Sequence, residues 1–239
     1  MDPPTSNRNP KIALVTGGYK NIGLEISKAL IDEGYEVIST YRSDGETAAR
    51  NSHNYGFEVL RADMSEEGQV EDLFNQIRRE GKRISVLVNN VSSFPRGPLL
   101  ELDSSEFREA FESCVHSTFY SVKEAVPDMR NLGGGSIINI GMAGITEVKG
   151  YIDVAAHASA KTALAVITLS LGKELEEDDI TVDMVGPGIV DDPERDNSWR
   201  ERMMKISPSG RLVSRSEVSD AVTRLLRDRK LGGRIVEIR

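Results

Sequence analysis

Residues 11–24, KIALVTGGYKNIGL, have the pattern of a loop that binds phosphate. A short apolar run, Ile12–Val15, ends at Gly17 and Gly18, and an amphipathic stretch begins near Gly23. A strand that breaks at glycine and continues as a helix leaves unpaired backbone N–H groups at the helix start, and these groups attract an anion together with the helix dipole. Glycines also let the backbone approach that anion closely. The stretch therefore predicts a site for a phosphate or a pyrophosphate.

Three polar residues stand just past apolar runs of strand length. Asp63 follows the third run, and Asn89 and Asn90 end the fourth. Ligands of parallel sheets bind beyond the carboxyl ends of the strands. At such a place Asp63 can accept a hydrogen bond from an exocyclic amine, and the two asparagines can hold both the strand ends and a nucleoside.

The elements that would position these residues alternate between strands and helices. Strands are predicted at 12–15, 36–40, 57–61, 84–88, 136–140, 180–185 and 234–238. Helices are predicted at 22–32, from a cap at Ser43 or Asp44 to 51, and at 65–80, 155–176 and 216–227, with one long helix or two joined helices over 104–129. This order predicts an α/β fold with a parallel, doubly wound sheet. Residues 191–210, bracketed by prolines, are predicted to be irregular.

Length and composition narrow the class of protein. The 239 residues fit one domain, placed at 11–239, after a polar, proline-rich start at 1–10 that is predicted to be disordered. A net charge of -8 argues against a general binder of nucleic acid or anionic membranes. The single cysteine excludes an internal disulfide and favours the cytoplasm. No apolar run has the length of a membrane span, and the three histidines form no metal-binding motif.

Over essentially its whole length the chain resembles the short-chain dehydrogenase/reductase family. The resemblance rests on TGGYKNIG at 16–23, Asp63, LVNN at 87–90, the helix that carries Lys161, and VGPG at 185–188. It implies a single-domain Rossmann fold that binds a nicotinamide dinucleotide, with adenine near Asp63 and nicotinamide near Pro187. The cofactor-binding residues that follow are Gly17, Tyr19, Lys20, Asn21, Ile22, Gly23, Tyr41, Arg42, Ser43, Asp63, Met64, Asn89, Asn90, Val91, Lys161, Pro187, Gly188 and Ile189.

Charge at the end of the second strand favours NADP(H) over NAD(H). An acid there would pair with the ribose hydroxyls and repel a 2′-phosphate. This chain has Tyr41, Arg42 and Ser43 instead, and Lys20 stands inside the glycine loop. Two cations and a hydroxyl suit a phosphate dianion, although both cations can also be ordinary surface charges.

One loop position departs from the family pattern. Asn21 replaces the usual second glycine, and asparagine tolerates a positive φ better than other non-glycine residues. Some branches of the family, the pteridine reductases among them, also replace this glycine. The NNVSSF stretch at 89–94 resembles that branch as well.

The resemblance also implies four catalytic groups, of which one is present. Family chemistry uses a tyrosine as proton donor, a lysine four residues later, a serine after the fifth strand and an asparagine in the long central helix. Lys161 is the lysine, whereas His157 stands at the tyrosine position, Met142 at the serine position and Cys114 at the asparagine position. The spacing of His157 and Lys161 puts both on one helical face. Asp192 stands where a threonine that contacts nicotinamide is usual.

These replacements favour an activated substrate. A histidine donates or accepts a proton near neutral pH, but a lysine beside it favours the neutral ring and weakens it as an acid. Met142 offers no donor to a developing oxyanion, so simple ketone reduction loses its usual support. We therefore expect an NADP(H)-dependent oxidoreductase that reduces an activated C=O, C=N or C=C bond of a small molecule, with His157 and Lys161 as catalytic residues.

Two other functions stay open from the sequence. One is an NADP-binding homologue without catalysis, acting as a sensor or subunit, and the other is a lyase, cyclase or isomerase of the same fold. Tyr151 is a tempting replacement proton donor, but it lies off the helical face of Lys161 and fits loop packing better. The resemblance further implies a homodimer or homotetramer built through the helices that carry Cys114 and Lys161.

Overall fold

A computed structural model describes residues 11–228 and 232–239 of the chain. Its strands are β1 (Ile12–Val15), β2 (Glu36–Tyr41), β3 (Glu58–Arg61), β4 (Ile84–Asn89), β5 (Gly135–Ile140), β6 (Ile180–Pro187) and β7 (Ile235–Ile238). Its α-helices are α1 (Asn21–Asp32), α2 (Gly45–Tyr55), α3 (Glu67–Arg79), α4 (Ser104–Phe111), α5 (Ser117–Leu132), α6 (Ala155–Glu174), α7 (Asn197–Ile206) and α8 (Arg215–Arg227). The disordered start predicted at 1–10 lies outside the described residues.

The described strands form one parallel sheet in the order β3-β2-β1-β4-β5-β6-β7. The chain leaves β1 towards one edge through β2 and β3, and then returns to place β4 on the other side of β1. This reversal of strand order opens a crevice at the carboxyl ends of β1 and β4, which is where open α/β sheets bind ligands. The predicted doubly wound α/β architecture is confirmed.

Alternate residues of each central strand pack into separate cores. Ile12 and Leu14 belong to one apolar cluster, which includes side chains of α3 and α5. Ala13 and Val15 belong to another, which includes side chains of α1 and α8. Since successive side chains of a strand point to opposite faces, a sheet covered on both faces favours apolar residues on both sides of its central strands. This preference explains why the central strands are rich in apolar residues.

The long central helix contains a π turn. Residues Glu112–His116 adopt π geometry and join α4 to α5 without a break in helical backbone angles. The prediction of one long helix or two joined helices over 104–129 is therefore confirmed. A π turn adds one residue to a helix and is frequent at functional sites. Here it contains Cys114.

The prediction that 191–210 is irregular was wrong, because α7 occupies 197–206 within it. Asp196 caps this helix by accepting a hydrogen bond from the backbone N–H of Trp199 at 2.7 Å. None of the residues of this helix is buried, although Trp199, Met203 and Ile206 are spaced four and three residues apart, as on one helical face. This spacing and the cap residue were the available sequence signals.

One helix start agrees with the prediction and another differs from it. Asp44, one of the two predicted caps, accepts a hydrogen bond from the N–H of Thr47 and begins α2. Ser65 does not begin α3; its hydroxyl instead donates to Asp63 at 2.6 Å, and the helix begins at Glu67. The hydrogen bond of Ser65 to Asp63 explains this shift.

No helix in the described part of the chain is both long enough and apolar enough to cross a membrane. Within residues 11–228 and 232–239, no cluster of His, Cys, Asp and Glu side chains is arranged to hold a metal ion.

A buried polar chain connects the central strands to α6. Asn89 donates to Asn139 at 2.9 Å, and Asn139 donates to the hydroxyl of Thr168 at 2.9 Å. Thr168 in turn donates to the carbonyl of Leu164 at 2.8 Å. All three polar side chains are at most 5% exposed. The chain fixes α6, which carries His157, against the ends of β4 and β5.

Replacement of Thr168 by valine should destabilise the fold. The change keeps the side-chain shape but leaves the buried amide of Asn139 without its acceptor, which costs about 1–3 kcal/mol of unfolding free energy. Denaturant unfolding measures this loss. Thr162→Val is the matched control, because the Thr162 hydroxyl is bonded only to the carbonyl of Ala158 in its own helix and is partly exposed. Equal losses in the two variants would contradict a role for the polar chain.

Candidate active site

The glycine loop joins β1 to α1 through a tight turn. Gly17 has a φ of +62° and Asn21 a φ of 51°, so the expectation that Asn21 tolerates a positive φ is confirmed. Gly23 lies against the carbonyl oxygen of Gly17, since a Cβ added at Gly23 would be 2.4 Å from that oxygen. Lys20 begins α1 without a side-chain cap, and the first turn contains no acid. The helix start is therefore a bare anion site with a close backbone approach.

Thr16 ties the ends of β1 and β4 together. Its hydroxyl oxygen accepts hydrogen bonds from the N–H groups of Asn90 at 2.9 Å and Val91 at 3.1 Å. The Asn90 amide returns a bond to the carbonyl of Thr16 at 3.0 Å. On the other side, the N–H of Gly17 donates to the hydroxyl of Thr40 at the end of β2, at 3.1 Å. Three strand ends thus hold the loop that borders the crevice.

The two predicted phosphate-binding cations lie at the ends of this loop and of β2. Lys20 Nζ is 3.7 Å from Asp44, and Arg42 Nη1 is 3.8 Å from Asp63 and 3.7 Å from Glu109. These separations are longer than hydrogen bonds. Tyr19, then Asp44, raise the pKa of the Lys20 ammonium against the opposing effect of partial burial. Both side chains are therefore only loosely paired with carboxylates.

Aromatic side chains support the same corner. The rings of Tyr19 and Tyr41 meet edge to face at 6.3 Å, and Lys20 Nζ lies 5.0 Å from the Tyr19 ring centre. The carbonyl of Tyr19 accepts from the amide of Asn51 at 2.9 Å. Ser43 is exposed at the start of the turn into α2.

Several predicted cofactor residues contribute packing or backbone groups. Met64 and Asn89 are buried beneath the crevice, where Met64 joins the apolar cluster of α3 and Asn89 bonds Asn139. Asp63 accepts from the backbone and hydroxyl of Ser65. Ile22 packs partly buried against the core cluster of α1 and α8. Of the two roles predicted for Asn89, its buried amide performs the one of holding strand ends.

The end of β6 presents backbone groups. The carbonyl of Pro187 accepts from the N–H of Ala143, the N–H of Gly188 donates to Ile238, and the carbonyl of Ile189 accepts from the N–H of Val213. These bonds fix the turn at which nicotinamide is expected.

Two acids after β6 hold α7 and the start of α8. Asp191 accepts from Arg200 of α7 at 2.9 Å, and Asp192 accepts from Arg215 of α8 at 3.0 Å. Two ion pairs thus attach α7 and the start of α8 to the segment that follows β6.

Two of the four positions that the resemblance marked as catalytic lie in one apolar cluster beside α6. Cys114 from the π turn and Met142 after β5 belong to one apolar cluster with Ala156 and Ala160 of α6. His157 and Lys161 follow those two alanines in sequence on the same helix. Cys114 is 1% exposed, as expected for a small buried hydrophobe.

His157 is buried and held by a backbone carbonyl. The side chain is 8% exposed, and its Nδ1 lies 2.9 Å from the carbonyl oxygen of Ser93. A carbonyl oxygen only accepts, so Nδ1 carries the proton and Nε2 carries a lone pair. Burial, followed by the charge of Lys161, lowers the pKa of His157 to about 4, although the Ser93 carbonyl acts in the opposite direction. The ring is therefore neutral at pH 7, as the sequence predicted.

Lys161 is more deeply buried than His157. It is 3% exposed, and its ammonium donates to the carbonyl of Ile140 at 2.6 Å. Ile140 ends β5, so the lysine lies at the carboxyl edge of the sheet next to the crevice. Since a buried cation needs a partner, this carbonyl stabilises the ammonium.

Tyr151 behaves as a loop residue. Its hydroxyl donates to the carbonyl of Gly144 at 3.0 Å, and the ammonium of Lys149 lies 5.4 Å from its ring centre. The loop-packing interpretation of Tyr151 is the one that fits these contacts.

Sequence reasoning missed four residues of the site. Thr16 and Thr40 bind the glycine loop, Ser93 fixes the tautomer of His157, and Phe94 packs its ring edge to face against His157 at 4.5 Å. The NNVSSF stretch was the available signal for the last two, because it follows directly on β4 at the crevice.

The sheet order, the glycine turn and the crevice define a Rossmann-type α/β protein. The chain belongs to the short-chain dehydrogenase family, because the family model described as "short chain dehydrogenase" matches residues 11–204. The predicted family is thereby confirmed.

Curated relatives cover nearly the whole chain. The 3-oxoacyl-(acyl-carrier-protein) reductase FabG of Salmonella typhimurium is 30% identical over 224 residues, covering 91% of this chain and 90% of the relative. Carbonyl reductase family member 4 of Xenopus tropicalis is 28% identical over 229 residues, covering 95% and 96% respectively. Both names describe reductases, so the chain is similar to oxidoreductases.

Solved structures agree with this assignment. A variant of actinorhodin polyketide ketoreductase with NADPH superposes with a TM-score of 0.86 at 26% identity, covering 96% of this chain and 95% of the other. Acetoin dehydrogenase YohF from Salmonella typhimurium gives a TM-score of 0.83 at 27% identity, with 96% and 94% covered.

Replacement of Gly23 by alanine should open the glycine loop. The new Cβ would be 2.4 Å from the backbone oxygen of Gly17 and 2.7 Å from the amide of Asn90, so the backbone has to shift. We expect a loss of about 1–3 kcal/mol in unfolding free energy, measured by denaturant unfolding. Gly68→Ala in α3 is the control, since a Cβ there meets nothing within 4 Å. A Gly23→Ala variant as stable as the control would refute the close approach.

Acid should destabilise the fold through His157. The pKa of His157 is about 4 in the folded chain against 6.5 for a free histidine, so between these values only the unfolded chain binds the proton. Stability that is present above pH 6.5 is lost as the pH falls towards 4, by up to about 3 kcal/mol for this group. Denaturant unfolding across this range, compared with His157→Gln, measures the difference. Equal pH dependence in both proteins would contradict the lowered pKa.

Proposed function

We propose that the chain is an NADP(H)-dependent short-chain oxidoreductase that reduces an activated C=O, C=N or C=C bond of a small molecule. The observation that carries the proposal is the burial of Lys161 and His157, one helical turn apart, at the same sheet edge as an uncapped glycine loop. Burying an ammonium group costs desolvation free energy. A functional role explains why such a group lies beside an open crevice.

The residues at the crevice fit a dinucleotide that carries a 2′-phosphate. Gly17 and Gly23 allow the tight turn before the uncapped start of α1, where the pyrophosphate would bind, and Lys20 and Arg42 would supply positive charge beside the ribose. Each cation is only loosely paired with a carboxylate, so a phosphate dianion can replace that partner at little cost. A bound NADPH would supply a hydride at the Pro187 end of the crevice.

The side chains around the reacting atoms favour an activated substrate. Met142 and Cys114 lie in an apolar cluster and give no strong hydrogen-bond donor to a developing oxyanion. His157 is neutral, and its proton points at Ser93 rather than into the crevice. Lys161 is the one catalytic group that the family resemblance carries over unchanged.

A second candidate is an NADP-binding protein without catalysis. The apolar surroundings of Cys114 and Met142 favour it, because a site stripped of donors still binds cofactor. A lack of NADPH oxidation with carbonyls, imines and activated alkenes, combined with tight NADPH binding, would select this candidate.

We further propose that the chain works in the cytoplasm as a homodimer or homotetramer. The helices that carry Lys161 and follow Cys114 expose apolar side chains, namely Phe119 on α5 and Val166 and Leu169 on α6. Covering these side chains in a second copy would remove them from water. The single, buried cysteine is consistent with a reducing compartment.

Fluorescence titration with NADPH and NADH tests the cofactor. We expect tighter binding of NADPH, and a loss of about 10-fold to 100-fold in NADPH affinity for Arg42→Ala or Lys20→Ala, because each removes a charged partner of the 2′-phosphate. NADH binding should stay nearly unchanged in both variants. Arg130→Ala is the control, since Arg130 pairs with Asp178 away from the crevice. Equal affinity for the two cofactors, or equal losses for both, would contradict the NADP(H) assignment.

A further inference from the structure

His157 offers the crevice a lone pair and no proton. Its Nδ1–H is used by the carbonyl of Ser93, to which the hydroxyl of Ser92 also donates at 3.2 Å. Moving the proton to Nε2 would break this hydrogen bond. The lone pairs of Nδ1 and of the carbonyl oxygen would then face each other at 2.9 Å and repel. The backbone of the β4–α4 loop therefore fixes the tautomer.

Nε2 is open to a ligand. In the described part of the chain, no group bonds to Nε2, and the one fully buried polar side-chain atom without a partner is Asn89 Oδ1. Nε2 is thus not enclosed by protein, although the residue is 8% exposed in all. Phe94 packs its ring edge to face against His157 at 4.5 Å and is 54% exposed, so a partly exposed aromatic ring lies beside the imidazole.

The ring cannot readily become a cation. The side chain of Lys161 lies one turn away on the same helix face, and its buried ammonium is held at the carbonyl of Ile140. A second buried positive charge at this spacing is unfavourable. His157 therefore resists protonation, which excludes it as the base for an alcohol that must lose its proton to the ring.

We propose that His157 Nε2 is a hydrogen-bond acceptor for the substrate, and that the substrate is an imine reduced as its protonated N–H form. This inference rests on the proposed NADP(H)-dependent function and names the substrate class of the same site. A protonated imine has the two properties that the site demands: it donates a hydrogen bond to Nε2, and it needs no proton from the protein.

The reaction balances without an acid. The hydride from NADPH forms a new C–H bond at the imine carbon, the π pair of the C=N bond becomes a lone pair on nitrogen, and the N–H proton stays where it was. The product is a neutral amine, and NADPH is oxidised to NADP⁺. The positive charge leaves the atom next to His157 during this step, so like-charge repulsion from Lys161 is relieved as the reaction proceeds.

A neutral ketone fits the same site poorly. Its oxygen would face the lone pair of Nε2, and its reduction would create an alkoxide without a donor from Met142 or Cys114. The site thus discriminates between two substrates of nearly equal shape through a single acceptor.

The test compares three probes with one ring skeleton: dihydroisoquinoline, its N-methyl iminium salt and α-tetralone. We expect NADPH oxidation with dihydroisoquinoline at a kcat/KM about 10-fold to 100-fold above that with α-tetralone, the range of a hydrogen bond to a charged group. The N-methyl salt keeps the positive charge but lacks the N–H, so it should also be reduced less efficiently than dihydroisoquinoline. Equal efficiency for imine and ketone, or no reduction of the imine, would overturn the proposal.

Two amide variants separate the two ring nitrogens of His157. Asparagine places an N–H near Nδ1 and nothing at Nε2, whereas glutamine places an acceptor near Nε2. His157→Asn should lower kcat/KM for the imine by about 10-fold to 100-fold and abolish the preference over the N-methyl salt, and His157→Gln should retain much of both. Equal kinetics for the two variants would refute the acceptor role.

Nitrogen-15 NMR of the wild-type imidazole gives a readout that needs no turnover. We expect His157 to be the Nδ1–H tautomer at neutral pH, and an Nε2–H tautomer would overturn the proposal. The NADPH titration is run on the same samples. Tight NADPH binding without an imine preference leaves the cofactor assignment in place and refutes this inference alone, whereas an absence of NADPH binding refutes both.

Discussion

The burial of two titratable side chains one helical turn apart governs the chemistry that this crevice can perform. Lys161 and His157 share one face of α6, and both are more than nine-tenths buried. Burial and the nearby Lys161, which donates to the carbonyl of Ile140, keep the His157 ring neutral. The carbonyl of Ser93 then fixes the remaining proton of the neutral ring. One backbone oxygen at the end of β5 and another in the β4–α4 loop thus hold these two side chains.

The glycine loop between β1 and α1 is subject to a different constraint, which is the close approach of two backbone segments. The approach of Gly23 to the carbonyl of Gly17 leaves no space for a side chain, and Thr16 joins the strand ends that frame it. This geometry does not depend on which groups react elsewhere in the crevice. These contacts of the loop involve none of Cys114, Met142 and His157. The glycine loop and the surroundings of His157 are therefore physically separable parts of the same crevice.

The fold and the site differ in how far the sequence predicts them. Strands covered on both faces are rich in apolar residues, and all seven predicted strands agree with the observed ones within two residues at each end. Helix α7 was missed because it buries no apolar face. The resemblance placed Cys114, Met142, His157 and Lys161 at one site; in the structure Cys114 and Met142 share an apolar cluster with the alanines that precede His157 and Lys161. The tautomer of His157 could not be predicted from the sequence. It depends on Ser93, which is 64 residues away in sequence, and hydrophobic periodicity carries no information about such a contact.

The source of the proton that the product needs connects these constraints to the reaction. Hydride addition to a neutral carbonyl produces an oxyanion, which must receive a proton from a donor within hydrogen-bonding distance. The apolar cluster of Cys114 and Met142 supplies none, and the proton of His157 is held on the nitrogen that faces away from the crevice. A water molecule at Nε2 would donate a hydrogen bond to the lone pair of the ring. The ring could not pass a proton through this water to the substrate, because Nε2 carries none. A substrate that already carries its proton avoids the difficulty, because hydride addition alone converts it to a neutral product.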